Sequence, residues 1–120
     1  MPLERFVSHG GWLLEQSRIS PLHSEKLIQK ALEVEPLHPR LAGQLHLLAA
    51  FLADPPAETP ATALRDSAFA GYFVLEAPGA LVADHAAVVE TTLQIHGRTL
   101  KKFCRARQMP WDPFAPKQAA

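Results

Sequence analysis

The stretch VADHAAVVETTLQIHGRTLKKF, residues 82–103, places Val82, Ala86, Val89, Leu93, His96, Leu100 and Phe103 at successive intervals of 4, 3, 4, 3, 4 and 3. Residues three and four apart share one face of an α-helix, so this spacing draws a seam along a helix, held for about three heptads. A strand would need alternation at every second residue, and no such pattern competes here or elsewhere in the chain. An apolar seam needs something to cover it. Two arrangements satisfy it: lengthwise packing on another helix of the chain, or zipping against a second copy.

Upstream, the best partner is PRLAGQLHLLAAFLAD, residues 39–54. Apolar residues run almost all the way round it from Leu45 to Leu52, with only Arg40, Gln44 and His46 as polar interruptions. Such a helix belongs at the centre of a bundle or at an oligomer interface. The following DPPAETP, residues 54–60, breaks the chain into a loop. From Ala61 to Leu75, small Ala63, Ala68, Ala70 and Gly71 are interspersed with Phe69, Tyr72 and Phe73, as close helix packing requires. EAPG at 76–79 ends that helix.

Nearer the start, PLHSEKLIQKALEVE (21–35) sets Leu27, Ile28, Ala31 and Leu32 opposite Glu25, Lys26, Gln29, Lys30 and Glu33, an amphipathic surface helix. Leu3, Phe6, Val7, Leu13 and Leu14 also share a helical face. Gly10-Gly11 interrupts them at a cost of roughly 2 kcal/mol relative to two alanines, with Trp12 beside the break expected in the core. Three prolines mark helix starts, because Pro is tolerated at the first helical position and costly in the interior. They give Ser20-Pro21, His38-Pro39 and Thr59-Pro60. Ser20 and Thr59 suit an N-cap, and His38 is the weaker candidate. The expectation is an all-α, single-domain bundle of four or five helices over 1–108, with an extended Pro-rich C-terminal tail over 109–120. No repeat at solenoid periods is present.

A chain of 120 residues is the size of one domain. Its formal net charge is zero with a pI near 7.0, so no global field steers it to nucleic acid or to an anionic membrane. The neutral total conceals a dipole: residues 1–90 hold 6 Lys+Arg against 11 Asp+Glu, and residues 91–120 hold 6 against 1. Cys104 is the single cysteine, which rules out an intramolecular disulfide or a multi-cysteine zinc site. MPLERFVSHGGW has no apolar leader core, and LHLLAAFLA and AFAGYFVL fall far short of the ~20 residues that span a bilayer. A cytoplasmic protein without a membrane partner is expected. The Ala- and Pro-rich composition with Arg over Lys points by association to a bacterial source.

No catalytic constellation emerges. None of His9, His23, His38, His46, His85 and His96 has another His three or four residues away, the spacing that sets two ligands on one helix face. No metal and no cofactor is therefore expected. Cys104 has basic neighbours that would lower a thiol pKa, but it lacks a base and an oxyanion site. HGG at 9–11 has no accompanying G-x-S-x-G, and no Gly-rich phosphate loop occurs. Asp84 with Glu90, and Glu33 with Glu35, read as solvated surface residues. His96 sits in the seam as a core histidine. At a dimer seam its protonation would charge two facing rings and loosen the contact below about pH 6.

What remains is surface. In GRTLKKFCRARQMPWDPFAPK, residues 97–117, Arg98, Lys102 and Arg105 share a helix face, with Lys101 beside them and Arg107 just beyond. These cations can complement a helix C-terminus, or they can bind phosphate or an acidic partner. Trp111 and Phe114 stand in a segment stiffened by proline, which loses little entropy on docking. They join Leu100 and Phe103 as candidate partner-binding residues. The chain thus reads as a small non-catalytic adaptor or regulatory module acting by protein–protein interaction. It is expected to form a homodimer through the 39–54 or the 82–103 helix. The alternative is a nucleic-acid-binding regulator using Arg98, Lys101, Lys102, Arg105 and Arg107. A helix-turn-helix is excluded, because 39–54 as recognition helix would be almost wholly apolar.

Overall fold

A computed structural model describes residues 21–77 and 81–114 of the chain. It is all-α: α1 (Pro21–Val34), α2 (Pro39–Ala53), α3 (Ala61–Glu76), α4 (Val82–Ile95) and α5 (Gly97–Ala106), with no strand among the described residues. The expected helix around Leu3–Leu14, Trp12 and the Ser20 cap lie outside the described residues. The fifth helix arises instead because 82–103 is not one helix but two.

The break falls at His96, whose φ of −106° and ψ of 23° depart from helical geometry. The ladder of α4 closes with the His96 amide on the Thr92 carbonyl at 3.0 Å, and that of α5 opens with the Leu100 amide on the His96 carbonyl at 3.0 Å. Gly97 follows, the residue with the lowest helix propensity after Pro. The seam survives the break: Val89, Leu93 and Leu100 are fully buried, and Ala86 and Phe103 nearly so. Its cover comes from the same chain, so neither half of the seam is left over for a second copy.

That cover is shared by α3 and α2, and α2 itself packs against α1, α3 and α4. It buries Leu41, Leu45, Leu48, Phe51 and Leu52 and leaves only the side of Gly43, His46 and Ala50 partly open, which makes it the central helix. The Phe51 ring meets Phe103 of α5 edge-to-face at 5.3 Å, an arrangement favoured by the ring quadrupoles. α3 approaches closely through Gly71, where an added Cβ would stand 3.2 Å from Leu27 and 3.6 Å from Leu52. Arg40 of α2 bonds Glu90 of α4 at 3.1 Å.

Local chemistry departs from the sequence reading at three places. His38, the weaker cap candidate, does cap α2: its Nδ1 accepts from the Leu41 amide at 3.2 Å, with Pro39 in the first helical turn. Thr59 does not cap α3. Pro60 takes the N-cap position at φ −58° and ψ 139°, conformations Pro prefers, and no side chain bonds the first turn. The expected stripe of α1 is also narrower than its sequence: Leu27, Ala31 and Val34 are buried, whereas Ile28 and Leu32 face outward. At the start of α4, the Asp84 carboxylate reaches back to the Leu81 amide at 3.0 Å, one half of a capping box.

Candidate functional site

α5 divides its residues cleanly. Leu100, Phe103 and Cys104 point into the bundle, while Arg98, Lys101, Lys102 and Arg105 are exposed. Positions i, i+3, i+4 and i+7 form one stripe, about 10 Å long at 1.5 Å per residue. No acidic residue occurs between Gly97 and Ala106, and none of the four cations forms an ion pair among the described residues. Arg105 in the last turn complements the helix dipole. The other three are one turn or more away from that terminus, beyond the reach of the effect. Beside the stripe, at the α4–α5 junction, Ile95 is 67% exposed.

Arg107 has a different role from its neighbours. Its guanidinium pairs with the Asp54 carboxylate, donates to the Asp54 carbonyl at 3.3 Å, and lies 5.3 Å over the Phe103 ring. It pins the end of α5 to the end of α2. The basic face is therefore four residues wide in function, with the fifth engaged internally.

The other expected contact residues are turned inward. Leu100 is 0% and Phe103 2% exposed, as members of the core. Met109, Trp111 and Phe114 pack against that core, with the Trp111 ring 3.8 Å from where a Cβ on Gly97 would stand. The Pro113 carbonyl accepts from the buried Gln44 amide at 2.7 Å. The described part of the tail thus lies folded back on its own bundle. His96 is committed within the chain as well: its Nε2 stands 2.7 Å from the Asp66 carboxylate of α3, which also meets Arg65 at 3.3 Å.

Among the described residues two groups have perturbed protonation. Burial, reinforced by Lys30 and opposed by Asp84, holds the His85 imidazole below its ordinary range. Neither of its ring nitrogens has a hydrogen-bond partner among the described residues, and its ring stands perpendicular to Phe73 at 5.7 Å. Burial pushes the Cys104 thiol upward, against the direction a nucleophile needs. An open groove of about 400 Å³ runs between Lys26–Glu33 of α1 and the last residues of α3. Its lysines and glutamates balance, and nothing in it converges on a reacting atom. Among the described residues no three His, Cys, Asp or Glu side chains gather as metal ligands, and no helix is long and apolar enough to cross a membrane.

Sequence reasoning found the cationic stripe because a helical wheel suffices to see it. It missed the His96–Asp66 bond, whose partners lie 30 residues apart, and the engagement of Arg107, whose partner is 53 residues away. Compared with protein families, with curated proteins and with solved structures, the chain matches none of them.

Proposed function

We propose that this is a non-catalytic binding protein whose working surface is the outer face of α5, and that its partner is a protein presenting acidic side chains. The observation that supports it is the set of four exposed cations, without an ion pair among the described residues, on one face of a helix whose other face is anchored in the core. Desolvating cations costs least when a partner supplies the counter-charge, and none of the described residues supplies one here. The rigid backing by Leu100 and Phe103 fixes the stripe in place, so little order is lost on binding.

A protein partner fits better than nucleic acid on two grounds. The remainder of the chain carries the excess of carboxylates, which repels an extended polyanion that runs past the stripe. The exposed Ile95 beside the cations offers an apolar anchor, suited to a protein socket rather than to a sugar–phosphate backbone.

The test is a titration of two probes at about 50 and about 200 mM salt: a helical peptide with glutamates at i, i+3, i+4 and i+7, and a short DNA duplex. The peptide is expected to bind more tightly, and Lys101→Glu with Lys102→Glu is expected to abolish its binding. Tighter binding of the duplex, with roughly a hundredfold loss between about 50 and 200 mM salt, would establish the nucleic-acid alternative through the same residues. Binding of neither probe would remove the stripe as a working surface.

A further inference from the structure

The chain after α5 turns on one residue. Gln108 has φ 57°, the only positive φ among described non-glycine residues. The Gln108 amide returns to the Arg105 carbonyl at 3.3 Å and the Met109 amide to the Cys104 carbonyl at 2.8 Å, the two bonds of a Schellman helix end. Glycine is the usual occupant of that position, because a Cβ crowds the following carbonyl in the left-handed region. Glutamine there carries strain.

Beyond the hinge, residues 109–114 lie on a bed formed by other parts of the chain. Gln44 is 1% exposed in the wall of the most apolar helix, and its Nε2 donates to a main-chain carbonyl, that of Pro113. Its Oε1 has no partner among the described residues. Gly97 leaves room for the Trp111 ring, and Met109 and Phe114 cover the core on either side. The bed reads a backbone carbonyl and aromatic side chains of an extended segment, and the hinge at Gln108 is the link that makes that segment its own.

We infer that this bed is an exchange site, on which the tail of one copy seats itself on the bundle of a second, giving a reciprocal dimer. A second copy offers the same rings and the same carbonyl, so every contact of 109–114 is preserved and only the hinge changes. The tethered tail holds its place through an effective concentration on the order of millimolar. Opening the hinge releases one strained residue per chain, worth roughly tenfold each and about a hundredfold per dimer. Exchange then sets in at about tens of micromolar rather than millimolar. This surface is separate from the α5 stripe, and its failure leaves the proposed function standing.

Deleting Gln108 removes the reversal and leaves the tail able to reach only a neighbour. The deletion variant is expected to be a dimer at about 10 μM by light scattering, and an excess of the peptide MPWDPF is expected to return it to monomer. Gln108→Gly keeps the turn, relieves the strain and is expected to stay monomeric at the same concentration. A deletion variant that is helical by circular dichroism yet monomeric would overturn the inference, as would a dimer indifferent to the peptide. If the deletion does not fold, the unaltered protein decides: its mass is expected to rise with concentration up to about 1 mM, and less so for Gln108→Gly. A constant mass across that range would overturn it equally.

Discussion

α1 and α5 are both amphipathic, yet only one of them carries an unbalanced charge on its outer face. The outer face of α1 carries Glu25, Lys26, Lys30 and Glu33, and Lys30 meets Glu33 at 3.7 Å. Two cations and two anions, with Lys30 and Glu33 paired at i, i+3, leave that face without net charge. The outer face of α5 carries cations alone. Their apolar faces differ in the opposite sense: α5 buries Leu100, Phe103 and Cys104, whereas α1 leaves Ile28 and Leu32 in solvent. A helix held firmly by its inner face can keep an unbalanced charge outside, because its position does not depend on pairing that charge.

The comparison breaks first at the anchor. Phe103→Ala removes the ring that meets Phe51 and Arg107. It is expected to cost about 3–5 kcal/mol in a denaturant titration. Ile28→Ala on α1 should cost under about 1 kcal/mol, since its side chain is already hydrated. Equal losses would mean that the two inner faces are not different in kind.

The charge contrast comes next. Lys101→Glu with Lys102→Glu should lower affinity for an acidic peptide by more than tenfold, with stability changed by less than about 0.5 kcal/mol. Lys26→Glu with Lys30→Glu on α1 should leave that affinity unaltered. If both pairs act alike, net charge rather than the stripe governs binding.

A smaller effect is set by pH. The folded protein holds His85 below its ordinary pKa, so the unfolded chain takes up the proton first as pH falls. Stability is therefore complete above the ordinary histidine value of 6.5 and is lost progressively below it. The slope of unfolding free energy between pH 7 and pH 5 should flatten in His85→Phe, and an unchanged slope would place the titrating group elsewhere. The smallest expected change is Gln108→Gly, a gain of about 0.5 kcal/mol after the entropy of glycine offsets part of the relieved strain.

The helical periods were readable because they belong to single segments: the buried α2, the seam residues Val89, Leu93, Leu100 and Phe103, and the stripe opposite them. The features that went unread depend on residues distant in sequence or on a conformation that no residue type announces. Gly97 was a visible signal for the break at His96, but Asp66, which holds the imidazole, lies in another helix. Gln108 enters the left-handed region without being Gly or Asn, so nothing in the sequence marks the reversal that folds Trp111 and Phe114 onto the bundle. Pro60 displaced Thr59 as cap because its own fixed φ already suits that position. Ile28 and Leu32 show the limit of periodicity, which identifies an apolar face without saying how much of it finds cover.

Cys104 gives the molecule a chemical clock. It is the single thiol in the chain, fully enclosed, and its carbonyl receives the Met109 amide at the foot of the reversal. A thiol there meets an alkylating reagent only when that end of the structure lifts, since the thiolate is the reacting form and burial suppresses it. The rate of its modification under native conditions therefore counts the openings, with no label introduced and no residue replaced.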